Sequence, residues 1–107
     1  MSVAAPGGQR FTNTRVWLPC LTTPSETSPA ACQGNKPPRL AQGIGTSFAG
    51  ATVTGLAALL VAQLGHGKPE LVRERLLQSA DDFGLPGTDP YYGRGRINVA
   101  RALGLRD

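Results

Sequence analysis

The chain has 107 residues, room for one small domain at most. Its formal charge of +4 raises the question of a polyanionic partner. However, the arginines near the C-terminus (Arg94, Arg96, Arg101 and Arg106) are scattered and aromatics make up only 6%, so the footprint of a nucleic-acid binder is missing. Hydrophobic residues at 40% allow a modest core of Ala, Val and Leu, and 14 Gly with 9 Pro signal several sharp turns.

Residues Ser2 to Ala5 form a short apolar segment stopped by Pro6-Gly7-Gly8, which reads as a strand running into a turn. The first eight residues carry neither a basic n-region nor a long apolar h-region, so no signal peptide is expected in them. Residues 9–42 are polar, Pro-rich and without sustained periodicity. They read as a long surface loop or insertion, with a short strand near Thr14–Leu18. Cys20 and Cys32 flank its Pro/Thr/Ser-rich part with no histidine nearby, and two thiolates do not complete a tetrahedral zinc site. They form either a disulfide, worth about 3 kcal/mol on the loop-entropy model, or a pair of free thiols.

Residues 43–64 are the most informative. The run from Phe48 to Leu64 has no charged side chain and reads as a helix apolar on every side, buried in a large core. A membrane span is disfavoured because the run is shorter than about 20 residues and contains Thr52, Thr54 and Gln63. Gly65 and Gly67 can end the helix. Lys68 to Ala80 is an amphipathic helix. Pro69 suits its first turn, and Leu71, Val72, Leu76 and Ala80 share a face. Asp81-Asp82-Phe83-Gly84 and Pro86-Gly87 mark turns, residues 91–98 read as a glycine-rich turn or short strand, and Val99 to Leu103 begins a last short helix. One amphipathic helix, two short strands and a polar loop are too little to cover a helix that is apolar all round. The chain is therefore expected to be incomplete as a domain and, alone, partly unfolded or aggregation-prone.

Gly45-Thr46-Ser47-Phe48-Ala49 opens the apolar helix. Thr46 or Ser47 can serve there simply as a helix cap. Alternatively, a serine hydroxyl at a helix N-terminus sits where backbone N–H groups and the helix dipole favour the negative charge that develops in acyl transfer.

The segment Gly45-Thr-Ser-Phe-Ala-Gly-Ala-Thr-Val-Thr-Gly55 resembles the Gly-Thr-Ser-Met-Ala-x-Pro-His-Val-x-Gly signature of the subtilases, the subtilisin-like serine proteases of peptidase type S8. Val3-Ala-Ala-Pro-Gly7 is similar to the family's Ala-Pro-Gly strand. Val72-Arg-Glu-Arg-Leu76 with Ser79-Ala80 is similar to its Val-Arg-x-x-Leu helix, and Tyr92-Gly-Arg-Gly-Arg-Ile-Asn98 to its closing Tyr-Gly-x-Gly-x-Val-Asn. The motifs occur in the family's order and cover most of the chain outside residues 9–42. Phe48, Ala51 and Thr52 depart from the family's Met, Pro and His.

The resemblance implies an α/β fold, the C-terminal part of a three-layer α/β/α arrangement around a mainly parallel sheet. It implies Ser47 as nucleophile with its own N–H in the oxyanion hole, supported by Gly45, Thr46 and Ala49. The substrate would be a peptide or protein, with no cofactor, no nucleic acid and no membrane involved. The family's Asp, His and oxyanion Asn precede its serine and its Ala-Pro-Gly strand, so these partners are expected from outside these 107 residues. His66, the single histidine, is about 28 Å along a helix from Ser47 and is expected to be a turn residue. Asp81, Asp82 and Asp89 are expected in turns, and Asn13 and Asn35 in the loop. No carboxylate cluster suggests a metal. The resemblance also implies an extracellular or periplasmic setting for the complete protein. The competing readings are a non-catalytic remnant or interaction module with subtilase packing, and a small membrane-associated peptide.

Overall fold

The computed structural model describes residues 2–9, 11–12, 14–20, 32–33 and 39–105. They form strands β1 (Val16–Cys20), β2 (Cys32–Gln33) and β3 (Arg39–Gly43), followed by helices α1 (Thr46–Leu64), α2 (Pro69–Gln78) and α3 (Val99–Ala102). The chain divides into two compact units, Pro6–Phe48 and Met1–Ala5 with Ala49–Asp107.

The first unit is a three-stranded antiparallel sheet in the order β1-β3-β2. Val16 pairs with Gly43 and Cys20 with Arg39 on one side of β3, and Cys32 pairs with Ala41 on the other. β1 overlaps the short strand expected near Thr14–Leu18, whereas β2 and most of β3 are strand in a stretch read from sequence as loop. Val16 and Leu18 are half-buried while Trp17 and Pro19 are exposed, the period-two alternation of a strand with one covered face. Pairing at a distance satisfies the backbone groups of a segment whose composition is too polar to announce it. The side chains of Cys20 and Cys32 lie outside the described residues, and with them the choice between a disulfide and two free thiols. Ahead of the sheet, Gln9 N–H donates to the Thr14 carbonyl at 2.8 Å. Gly8 takes φ +80° where a Cβ would come within 3.0 Å of that carbonyl oxygen, so only glycine makes this turn without strain.

The second unit is built on α1. Its residues Val53, Leu56, Ala57, Leu60, Val61 and Leu64 recur at helical spacing. Leu56 and Leu60 are buried with Val72 of α2, Ile97 and Ala102 of α3, and the other four pack against that cluster. Val3 and Ala5 join from the N-terminal segment. The expected Ser2–Ala5 strand appears as an isolated parallel bridge: Ala4 N–H donates to Gly95 O at 2.8 Å and Ile97 N–H to Ala4 O at 2.9 Å. Among the described residues the named strands pair antiparallel, and parallel pairing is confined to this bridge.

The expectation of a helix buried on every side holds here for one stripe only. Leu59 is 50% exposed, and of the most apolar 18-residue window of α1 only 11% is buried. By length and hydropathy α1 also meets the requirement for crossing a membrane, a test that the core helix of a soluble protein passes equally. Gly65, at φ +90°, ends α1 with its N–H on Val61 O at 2.8 Å.

A polar clasp fixes the C-terminal segment. Asp81 exchanges backbone hydrogen bonds with Arg96 at 2.7 and 2.9 Å. Its carboxylate accepts from Asn98 Nδ2 at 3.1 Å and pairs with Arg101 at 2.9 Å and Arg96 at 3.3 Å. Asn98 in turn caps α3, its Oδ1 accepting from Arg101 N–H at 2.9 Å. The hydrogen bond from Asn98, followed by the charges of the two arginines, holds the Asp81 carboxyl below its usual pKa despite partial desolvation.

Candidate active site

Ser47 is the second residue of α1 and its side chain is exposed. The chain enters the helix through Gly45, whose φ of +148° lies in the region other residues avoid. Gly45 N–H donates to Gly7 O at 2.7 Å, which ties this turn to the Ala5-Pro6-Gly7 motif, and Gly45 O accepts from Phe48 N–H at 3.1 Å to start the helix. A Cβ on Gly45 would stand 3.6 Å from Ser47 Oγ, so glycine also leaves the hydroxyl's approach open. Thr46 is exposed and Ala49 half-buried. The result is a hydroxyl presented to solvent in the first helical turn, where the N-terminal end of the helix dipole favours incoming negative charge.

The other candidates are placed as turn formers. His66 is exposed in the turn after α1, beyond its far end. Asp82 Oδ2 accepts from Gly87 N–H at 2.8 Å. Asp89 is buried, with Oδ1 accepting from the N–H groups of Tyr91 at 2.7 Å and Tyr92 at 2.8 Å. Asp81 belongs to the clasp. The carboxylates of Asp82 and Asp89 thus serve the local backbone and that of Asp81 the clasp, and none has an imidazole to orient. Asn13 and Asn35, expected in the loop, lie outside the described residues. Among the described residues no group of three or more His, Cys, Asp or Glu side chains comes together to hold a metal ion.

One feature beside Ser47 escaped the sequence reading. The Phe48 ring occupies the space in which a side chain at Gly43 would start. A Cβ built there would come within 2.5 Å of Cε2 and 2.7 Å of Cε1. The pairing of a glycine with an aromatic five residues on carries no signature in sequence.

The model of the subtilase family, Peptidase_S8, matches residues 1–95. The chain belongs to the subtilase family. It is 36% identical over 90 residues to the autotransporter lipoprotein NalP of Neisseria meningitidis, a match covering 84% of this chain and 8% of that protein. An extracellular serine protease of Serratia marcescens is 34% identical over 59 residues, covering 55% of this chain and 6% of its own. Among solved structures, a lanthipeptide protease superposes with a TM-score of 0.64 at 30% identity, over 92% of this chain and 32% of that one. Fervidolysin from Fervidobacterium pennivorans, a keratinolytic enzyme related to subtilisin, superposes with a TM-score of 0.60 at 29% identity, over 79% of this chain and 14% of that one. The subtilase chain described here thus spans less than a tenth of the curated relatives' length, and its relationship is to serine proteases of α/β architecture.

Proposed function

We propose that these 107 residues are the C-terminal part of a subtilisin-like serine endopeptidase domain and that Ser47 is its nucleophile. The observation that carries this is the exposed Ser47 hydroxyl in the first turn of α1, entered through a positive-φ glycine, in a chain that matches the subtilase family over residues 1–95. In the complete protein Ser47 Oγ attacks the carbonyl carbon of a peptide bond, a histidine takes its proton, and the Ser47 N–H with an asparagine side chain holds the oxyanion.

These 107 residues hold a single histidine, beyond the far end of α1, so the base and the aspartate that orients it come from sequence outside them. The oxyanion asparagine is assigned the same origin. In subtilisin, loss of the triad reduces kcat on the order of 10⁶-fold, so the isolated chain has no useful peptidase activity. The uncovered side of α1 is the surface on which the rest of a three-layer domain packs, which favours a catalytic domain over a free-standing interaction module. The extracellular and autotransporter relatives support an extracellular or periplasmic setting.

A fluorophosphonate probe tests the proposal. Ser47 is labelled in the complete protein, labelling disappears in Ser47→Ala, and the isolated chain is unlabelled. An unlabelled complete protein, or clear labelling of the isolated chain, refutes it.

A further inference from the structure

We infer that Phe48 is a positioning residue for Ser47 and that Gly43 is the notch that admits its ring; the inference rests on Ser47 being the nucleophile. Gly43 is the last residue of β3, held in the sheet by its pairing with Val16. Phe48 is the third residue of α1 and follows Ser47 directly. Its ring fills the volume beside Gly43 so closely that a Cβ there would fall within 2.5 Å of Cε2, far inside van der Waals contact. The side chain next to the nucleophile therefore bridges the end of a strand and the first turn of the helix. The intervening Ile44-Gly45-Thr46 turn is fixed at its other side by the Gly45–Gly7 hydrogen bond of 2.7 Å.

This gives Ser47 two restraints of different kinds. The Gly45 bond sets where the chain turns. The ring against Gly43 sets how far the first helical turn stands from the sheet, and with it the reach of Ser47 Oγ and N–H. Gly43 has no positive φ to explain its identity; the ring does. A side chain at Gly43 displaces the ring, whose tip lies over that position; the inference is that this displacement reaches Ser47, where a misplacement of about 1 Å costs on the order of 10²-fold in rate.

The experiment measures acylation of Ser47 by a fluorophosphonate, and kcat and KM on a peptide substrate, in the complete protease. Gly43→Ala is expected to slow acylation about 10²-fold and to lower kcat with little change in KM. Adding Phe48→Ala makes room for the new methyl group and recovers at least tenfold of that loss, a coupling that independent sites do not show. A Gly43→Ala variant as fast as wild type overturns the inference. So does a double variant no faster than Gly43→Ala, including the case in which both fail to fold. If the wild-type protease is not labelled, the nucleophile reading fails, and with it the positioning role. The packing itself is read separately from the Gly43 Hα resonances, which the ring shifts upfield. Unshifted resonances, identical in Phe48→Leu, show that the notch is empty.

Discussion

Gly95 gives the sharpest test of the tertiary structure. A Cβ on this residue would overlap the backbone carbonyl of Asp81 and stand 2.6 Å from its carbon and 3.0 Å from Asp82 Cα. Its φ of +122° is moreover one that other residues rarely adopt. In Gly95→Ala the backbone strain costs about 1–3 kcal/mol. The obstacle is backbone rather than a side chain that can rotate away, so the Asp81–Arg96 pair of hydrogen bonds at 2.7 and 2.9 Å opens as well. At about 1 kcal/mol each, these bring the loss to about 3–5 kcal/mol, which is a fall of at least ~10²-fold in local protection. Gly87→Ala is the control: its φ is +89° but nothing lies within 4 Å of the added carbon, so strain alone applies, about 1–2 kcal/mol. Native-state hydrogen exchange at the Asp81 and Arg96 amides of the complete protein reads both variants. If Gly95→Ala leaves these amides within a factor of ten of wild type, or Gly87→Ala exposes them as much, the close approach of the two backbones is wrong.

The half-exposed side of α1 predicts that the isolated 107-residue chain shows a broad, non-cooperative thermal transition and binds a hydrophobic dye; a sharp calorimetric transition would contradict this. Leu60→Ala, at a fully buried side chain, is expected to destabilise the complete protein by about 3–5 kcal/mol in urea unfolding. Leu59, 50% exposed here, should become comparably sensitive only where the rest of the domain covers it, so an inert Leu59→Ala in the complete protein speaks against that covering. The Asp81 clasp predicts acid sensitivity. The folded-state pKa is lowered, so its stabilisation is fully present above the ordinary carboxylate pKa of about 3.9 and is lost as pH falls through the depressed folded value. Asp81→Asn should flatten that part of the stability profile between neutral pH and strong acid, and an unchanged acid limb would remove the clasp from the account.

The helices were legible because their signals are local. The uncharged run after Phe48, the Pro69 start and the glycine stop at Gly65 each act within a turn or two of chain. Ser47 was legible for a similar reason: its flanking Gly45, Thr46 and Ala49 must be contiguous to make the turn. The antiparallel sheet was not. β1 overlaps the short strand expected near Thr14–Leu18, but its partner β3 lies across a long connection, and neither the register between them nor the two-residue β2 leaves a local signal.

The sequence by itself therefore determined the helix order, the family and the residue at the tip of α1, since these depend on neighbours along the chain. Only the tertiary structure decided which stripe of α1 is covered, that Phe48 fills the notch at Gly43, and that Asp81 gathers Asn98, Arg96 and Arg101. Those are contacts between residues brought together by folding, and hydrophobic or ionic character in one segment does not specify which distant segment will meet it.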